Sequence, residues 1–363
     1  MSGFGINVFD FGAKGDGITD DTAAIQSAIN YAAKRGGGRI QFPYTPNGYR
    51  IASPGIEEYE GRQVRAQLII PPGKHNILLE GEMPCCLLYT YQVRPLDSVK
   101  SNFTPTYLDD MGRINTFLFS DWDAPEEHDP KARPWSILSA PEGDSCKGHF
   151  SCRMFSIANL EFRVNMTKEK MYPTQGAVNL QNVSRCNVSD SQFCLSRNVG
   201  DTLLDLELQP NPCHVVGFMG PGDQNDNVVI RNCAAQGFKY GFVLGEHVVA
   251  DYLYVHNNEE AIVFHDCSHL SVINHVVAQH NTCILSTTRG TMLGHEPGPC
   301  NVIVGSVNFE DGHRLKPVVS QMRYGIYDPE ERLTGELCWH EPWGDKEFPI
   351  VGASRMKVRV FGK

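Results

Sequence analysis

Residues 6–33 read Ile6-Asn-Val-Phe-Asp-Phe-Gly-Ala-Lys-Gly-Asp-Gly-Ile-Thr-Asp-Asp-Thr-Ala-Ala-Ile-Gln-Ser-Ala-Ile-Asn-Tyr-Ala-Ala33, and this stretch decides the architecture. Ile6 to Phe11 alternates apolar and polar residues as a short strand does, and Gly12, Gly15 and Gly17 let the chain turn. Asp20 or Asp21 can then cap a helix that begins near Thr22. Ala24, Ile25, Ala28, Ile29, Ala32 and Ala33 recur at helical spacing, with Gln26, Asn30 and Lys34 opposite, and Gly36-Gly37-Gly38 stops the pattern. A helix with one apolar face must cover something.

What it covers is legible further along. From about residue 150 short apolar pieces are broken by Asn, Asp, Gly and His, the pattern of stacked short strands. Gly241-Phe-Val-Leu-Gly-Glu246, Ala261-Ile-Val-Phe-His-Asp266 and Cys283-Ile-Leu-Ser-Thr-Thr288 align with starts 20 and 22 residues apart. Val228–Asn232, Tyr252–His256 and Ser271–His275 interleave with them, so each period is one rung of a coil with at least two strands. Asn182, Asn187, Asn198, Asn232, Asn257 and Asn274 suit the corners, where an amide tolerates left-handed backbone and ladders onto the next turn.

The strand, Gly-Asp-Gly turn and capped helix resemble the N-terminal segment of the pectate lyase-like superfamily. Gly38–Pro43, Tyr49-Arg-Ile51 and Leu68–Gly73 resemble the strands and turns that follow that cap. The resemblance covers roughly the first 45 residues. It implies an all-β, single-stranded right-handed parallel β-helix closed by the N-terminal helix, and a reaction neighbourhood of glycoside hydrolases, polysaccharide lyases and phage tailspikes. The Asn-Thr-Asp, Asp-Asp and Gly-His-Gly signatures of the family 28 polygalacturonases are absent, so no catalytic set carries over by resemblance. On this reading residues 1–363 form one domain, with 1–45 as cap, about 95–150 as an irregular insertion and about 313–363 as a C-terminal tail.

Composition narrows the partners. Thirty-two basic against 42 acidic residues give a net charge of −10 with no basic block, which disfavours nucleic acid and anionic membrane. No long apolar run and no leader-like start are present, so the expected location is cytoplasmic, or secreted if a leader has been removed. Twelve cysteines spread along the chain without a CxxC read as free thiols, with Cys186, Cys233, Cys267 and Cys283 in the core. Four sequons, at Asn102, Asn165, Asn182 and Asn187, matter only on a eukaryotic secretory route.

Alternation sends Phe242, Leu244, Ile262, Phe264 and Ile284 inward and Val243, Val263 and Leu285 outward. An outward apolar column is covered either by a loop or tail of the same chain or by another copy, as in a homotrimer.

Two carboxylate groupings could carry chemistry. In Asp201-Thr-Leu-Leu-Asp-Leu-Glu-Leu-Gln209 the leucines share one face while Asp205 and Glu207 share the other, about 6.5–7 Å apart, near the spacing of an inverting glycosidase pair. A solvated outer face explains the same pattern. Glu246 and Asp266 follow equivalent strands, and stacking two carboxylates would raise one pKa and leave an acid beside a base. Acidic corners also bind calcium or simply face water. His247 and His265 flank this column, and Asp201 and Glu260 add polar groups for a substrate. No zinc-like grouping is present, and no metal is required. Trp339 and Trp343, in Cys338–Asp345, could lip a cleft or pack on the coil.

The expected activity is cleavage of an oligo- or polysaccharide by carboxylate acid and base catalysis. The alternatives are elimination or intramolecular fructosyl-type transfer, and a noncatalytic glycan-binding or tailspike module.

Overall fold

The computed structural model describes residues 5–82, 116–120, 135–143, 151–166, 175–197, 216–220, 227–264, 270–279, 281–287, 299–310, 324–340 and 350–361. The helix spans Thr22–Lys34, and its buried Ile25, Ala28, Ile29, Ala32 and Ala33 join the main core. Arg35 ends it, and Gly36 takes a left-handed φ of 81°. Gly37 is needed for a different reason: a Cβ there would lie 2.4 Å from the Asn76 carbonyl oxygen of the adjoining strand.

Both aspartates before the helix are used, in different ways. Asp21 accepts from the backbone N–H groups of Lys14 and Gly15, at 2.6 and 3.0 Å, and so fixes the Gly-Asp-Gly turn. Asp20 accepts from the Thr22 N–H and hydroxyl, the Ala52 N–H and the Ser53 hydroxyl, tying the helix start to the strand Tyr49–Ile51. Burial opposes the charge on Asp20, but these hydrogen bonds outweigh it and bring its pKa down to about 2. Gln26, expected on the solvent side, is partly buried and reaches the first turn of the coil.

The coil has three faces. Strands Gly37–Phe42, Gly73–Gly81, Cys152–Ala158 and Val183–Ser189 and the first halves of Val228–Gln236 and Val248–His256 form the first face, continued by Ser271–Ile273 and the first parts of Cys300–Glu310, Leu333–His340 and Met356–Phe361, whose later residues run on into the second face. Tyr49–Ile51, Thr116–Ser120, Leu160–Met166, Gln192–Arg197, the second halves of the two long strands and Val276–Gln279 form the second. A ten-stranded sheet from Ile56–Tyr59 to Ile350–Gly352 forms the third. Neighbours pair in parallel throughout, apart from the hairpin of Ile56–Tyr59 with Arg62–Ile69.

The corner between the first and second faces is a single left-handed residue per rung: Asn159, Asp190, Asn232 and Tyr252, with φ of 54, 50, 53 and 56°. Asn232 donates to the Asp190 carboxylate at 2.6 Å. Between the second and third faces Asn257 is left-handed as expected, but the ladder is built one residue later. Asn258 Oδ1 accepts from the Phe238 N–H, Asn258 Nδ2 donates to Ala235 O and Asn281 Oδ1, and Asn281 Nδ2 donates in turn to Val255 O. Both side chains are buried.

Inside, register stacks Phe242, Ile262, Leu285 and Ile326, and the rings of Phe162, Phe193, Phe218 and Phe242 meet at 5.2–6.1 Å. Each such ring contributes about 1.5–3 kcal/mol by leaving water. Leu285 therefore points inward, contrary to expectation. Cys283 aligns with Glu260 and not with Ala261, so Ser286 follows Val243 and Val263 in the outward column. That column is itself buried, with Val243 and Val263 each 1% exposed beside Val216, so its cover comes from within the one chain and not from another copy.

Two stretches expected to leave the coil contain rungs. Trp135–Ser139, within the expected insertion, pairs with Arg62–Ile69 and Gln175–Asn179. Residues 324–340 and 350–361, within the expected tail, extend both sheets. Of the two places open to Trp339, a cleft lip or packing on the coil, it takes the second: it is 1% exposed in the core, in register with the buried Val307. Cys186, Cys233 and Cys283 are buried free thiols, while Cys267 lies outside the described residues.

Candidate functional site

The residues singled out from the sequence divide into two groups. Asp201, Asp205, Glu207, His265, Asp266 and Trp343 lie outside the described residues. Glu246 and His247 form the corner from the third face back to the first, with Glu246 Oε1 3.5 Å from His247 Nε2. Glu246 is 4% exposed, so a polymer on the surface does not meet it. Glu260 opens the next strand of the third face in register with Tyr240, at the opposite end of the strand that leads to Glu246. The Glu260 carboxylate accepts from the Ser286 hydroxyl. Among the described residues no three His, Cys, Asp or Glu side chains converge to hold a metal ion.

A different surface brings polar and ring side chains together. In the strand Val248–His256, Leu253 and Val255 point inward, so Tyr252, Tyr254 and His256 stand in a row outside, all half-buried. Four residues on, around the corner, Glu260 continues the row on the third face. The rung on one side places Gln236 next to His256 and Tyr240 next to Glu260; the rung on the other places Gln279 next to His256.

The row is held by contacts between rungs. The Tyr254 hydroxyl donates to Gln279 Oε1 at 2.7 Å, and its ring lies 6.1 Å from that of His256. Tyr252 stacks on His275 at 6.1 Å and 15°, and Asn308 donates to His275 at 3.5 Å. Lys239 sits 5.3 Å over the Tyr240 ring. On the same face, Glu161 and Arg163 form a buried ion pair, and Arg163 is in register with Cys194 and through it with Gln236. Planar amides, phenol rings and an imidazole on rigid strands supply hydrogen bonds in fixed directions together with flat apolar surfaces, which is the combination that sugar rings require. The signal was present in the sequence as the alternation Tyr252-Leu-Tyr-Val-His256.

The family model described as rhamnogalacturonase A/epimerase, pectate lyase-like, matches residues 5–64, from the strand ahead of the cap to the first strand of the third face. That stretch is similar to the pectate lyase-like family, and the coil that it caps is a parallel β-helix. Over 55 residues it is 56% identical to alginate lyase 7 of Azotobacter vinelandii, a match that takes in 15% of this chain and only 6% of that relative. Two solved structures are similar over most of their length. The mannuronan C-5 epimerase A-module of the same organism has 15% identity and a TM-score of 0.38, over 98% of this chain and 99% of that one. An exopolygalacturonase from Thermotoga maritima has 12% identity and a TM-score of 0.41, over 99% and 91%.

On this coil several links from the second face to the third are only three residues long. Residues 237–239, 257–259 and 280–282 are short links, and they bound the row of rings.

Proposed function

We propose that the chain is a carbohydrate-active enzyme that lays a polysaccharide across Tyr252, Tyr254, His256 and Glu260 and cleaves its glycosidic bonds. The outward row of rings on one rung, flanked by the amides of Gln236 and Gln279 on the rungs either side, is the observation that carries this reading. The alginate lyase that matches the N-terminal stretch supports a glycan polymer as substrate. In this proposal Asp205 and Glu207 supply the acid and base, as their spacing in the sequence suggests, and Glu260 with its Ser286 hydrogen bond binds sugar hydroxyls.

Elimination from a uronate is the second reading, favoured by Tyr254 and His256 standing side by side, since a phenol and an imidazole can exchange protons with a sugar without a carboxylate pair. Incubation with a panel of polysaccharides, with products analysed by mass and ultraviolet absorbance, separates the two. Added water marks hydrolysis, and an absorbing unsaturated end marks elimination. No product and no binding across the panel would sink both.

A further inference from the structure

We propose that the outer side of the first face is an interface between two copies of this chain, packed antiparallel about a two-fold axis. Register places Val229, Val249, Val272 and Ile303 one above another on four successive rungs, all pointing out. Val249 and Ile303 are 47% and 49% exposed, in contrast to the covered valines of the third face. Stacked about 4.8 Å apart, they make a continuous apolar stripe on a regular sheet, a surface that marks an association site.

The charges beside the stripe select the occupant. Arg231 and Asp251 stand two residues past Val229 and Val249, in register with each other and both exposed. A two-fold axis running along the strands between these two rungs sets Arg231 against the partner's Asp251 and Asp251 against the partner's Arg231. The same axis sets Val229 against the partner's Val249, so these two valines from each copy form the apolar centre, with Val272 and Ile303 further out against the partner's Asn187 and the partner's Ser156. An isologous contact requires just such a self-complementary patch. Copies aligned in parallel, in a trimer for instance, would bring equal rungs to equal heights and Arg231 towards the partner's Arg231.

Sedimentation of the full chain over a concentration series tests this. Wild type should dimerise reversibly, and Val249→Asp should be monomeric with unchanged circular dichroism. Arg231→Asp or Asp251→Arg alone should weaken the dimer by about tenfold or more, because like charges then meet twice. The double exchange Arg231→Asp with Asp251→Arg should restore it. A wild type that remains monomeric throughout, or a double exchange no tighter than the singles, would overturn the proposal.

Discussion

The side-chain amide of Gln26 pairs with the backbone of Ile69 as a neighbouring strand would, donating from Nε2 to the Ile69 carbonyl at 2.9 Å and accepting at Oε1 from the Ile69 N–H at 2.7 Å. Ile69 ends the first long strand of the third face, and the hairpin strand beside it reaches only to Ala66. The cap helix thus closes a sheet edge as well as an apolar end, and the edge is where a parallel coil is most open to wrong pairing. Gln26→Ala should leave both backbone groups without this partner and cost about 1–3 kcal/mol, measured by urea denaturation, with faster hydrogen exchange at Ile69.

Asp20 should make the cap sensitive to acid. Its pKa of about 2 lies below the ordinary 3.8, so its contribution is complete above pH 3.8 and fades as the pH falls towards 2. Asp20→Asn should therefore be less stable than wild type at pH 5, and the gap should narrow steadily between pH 4 and 2. Asp21, whose pKa burial raises despite two backbone hydrogen bonds, acts in the opposite sense. A gap that stayed constant with pH would contradict the role given to Asp20.

The buried amide ladder should resist even an isosteric change. In Asn258→Asp an oxygen replaces the nitrogen that donates to Ala235 O and Asn281 Oδ1, so acceptors would face acceptors. The expected loss exceeds the roughly 1–3 kcal/mol of one unsatisfied buried group, and Asn281→Asp should behave alike. Thermal melts of the two variants decide it.

Glycan affinity should follow the outward row. Removing the Tyr254 hydroxyl in Tyr254→Phe takes one polar group from the row and should weaken binding by about fivefold, the worth of one neutral hydrogen bond, with the fold unchanged. His256→Ala should weaken it more, and should abolish turnover if the imidazole moves protons. Titration calorimetry with whichever polymer the panel identifies provides the measurement.

Thiol chemistry should spare the core. Burial pushes Cys152 and Cys186 up to about 12, so both remain protonated and poor nucleophiles at neutral pH. In native protein treated with iodoacetamide, peptides carrying these two should stay unlabelled until denaturant is added, whereas Cys194 and Cys338, which are less buried, should label sooner.

Sequence reading reached the coil, its cap and most of its inward residues because these follow from periodicity, and periodicity is local. It failed where one residue changes the count. The pieces beginning at Ala261 and Cys283 look equivalent, yet Cys283 pairs with Glu260, and that single step exchanges Leu285 with Ser286 between inside and outside. Glu246 was legible as a carboxylate after a strand but not as a buried one, since burial depends on which links fold over a corner. The row at Tyr252, Tyr254 and His256 was overlooked for a simpler reason: rings read as core material, and only the register shows which of them face out.

The outer lattice of this coil has two spacings, about 4.8 Å from rung to rung and about 6.5–7 Å between alternate residues of a strand. A bound polymer moving by one rung along the axis would exchange His256 for Gln279 or Gln236, and Tyr254 for Val277 or Ala234. Neighbouring stations are thus chemically unequal. Such a track stops a sliding chain at one position, and it suits an enzyme that releases and rebinds its polymer over one that travels along it.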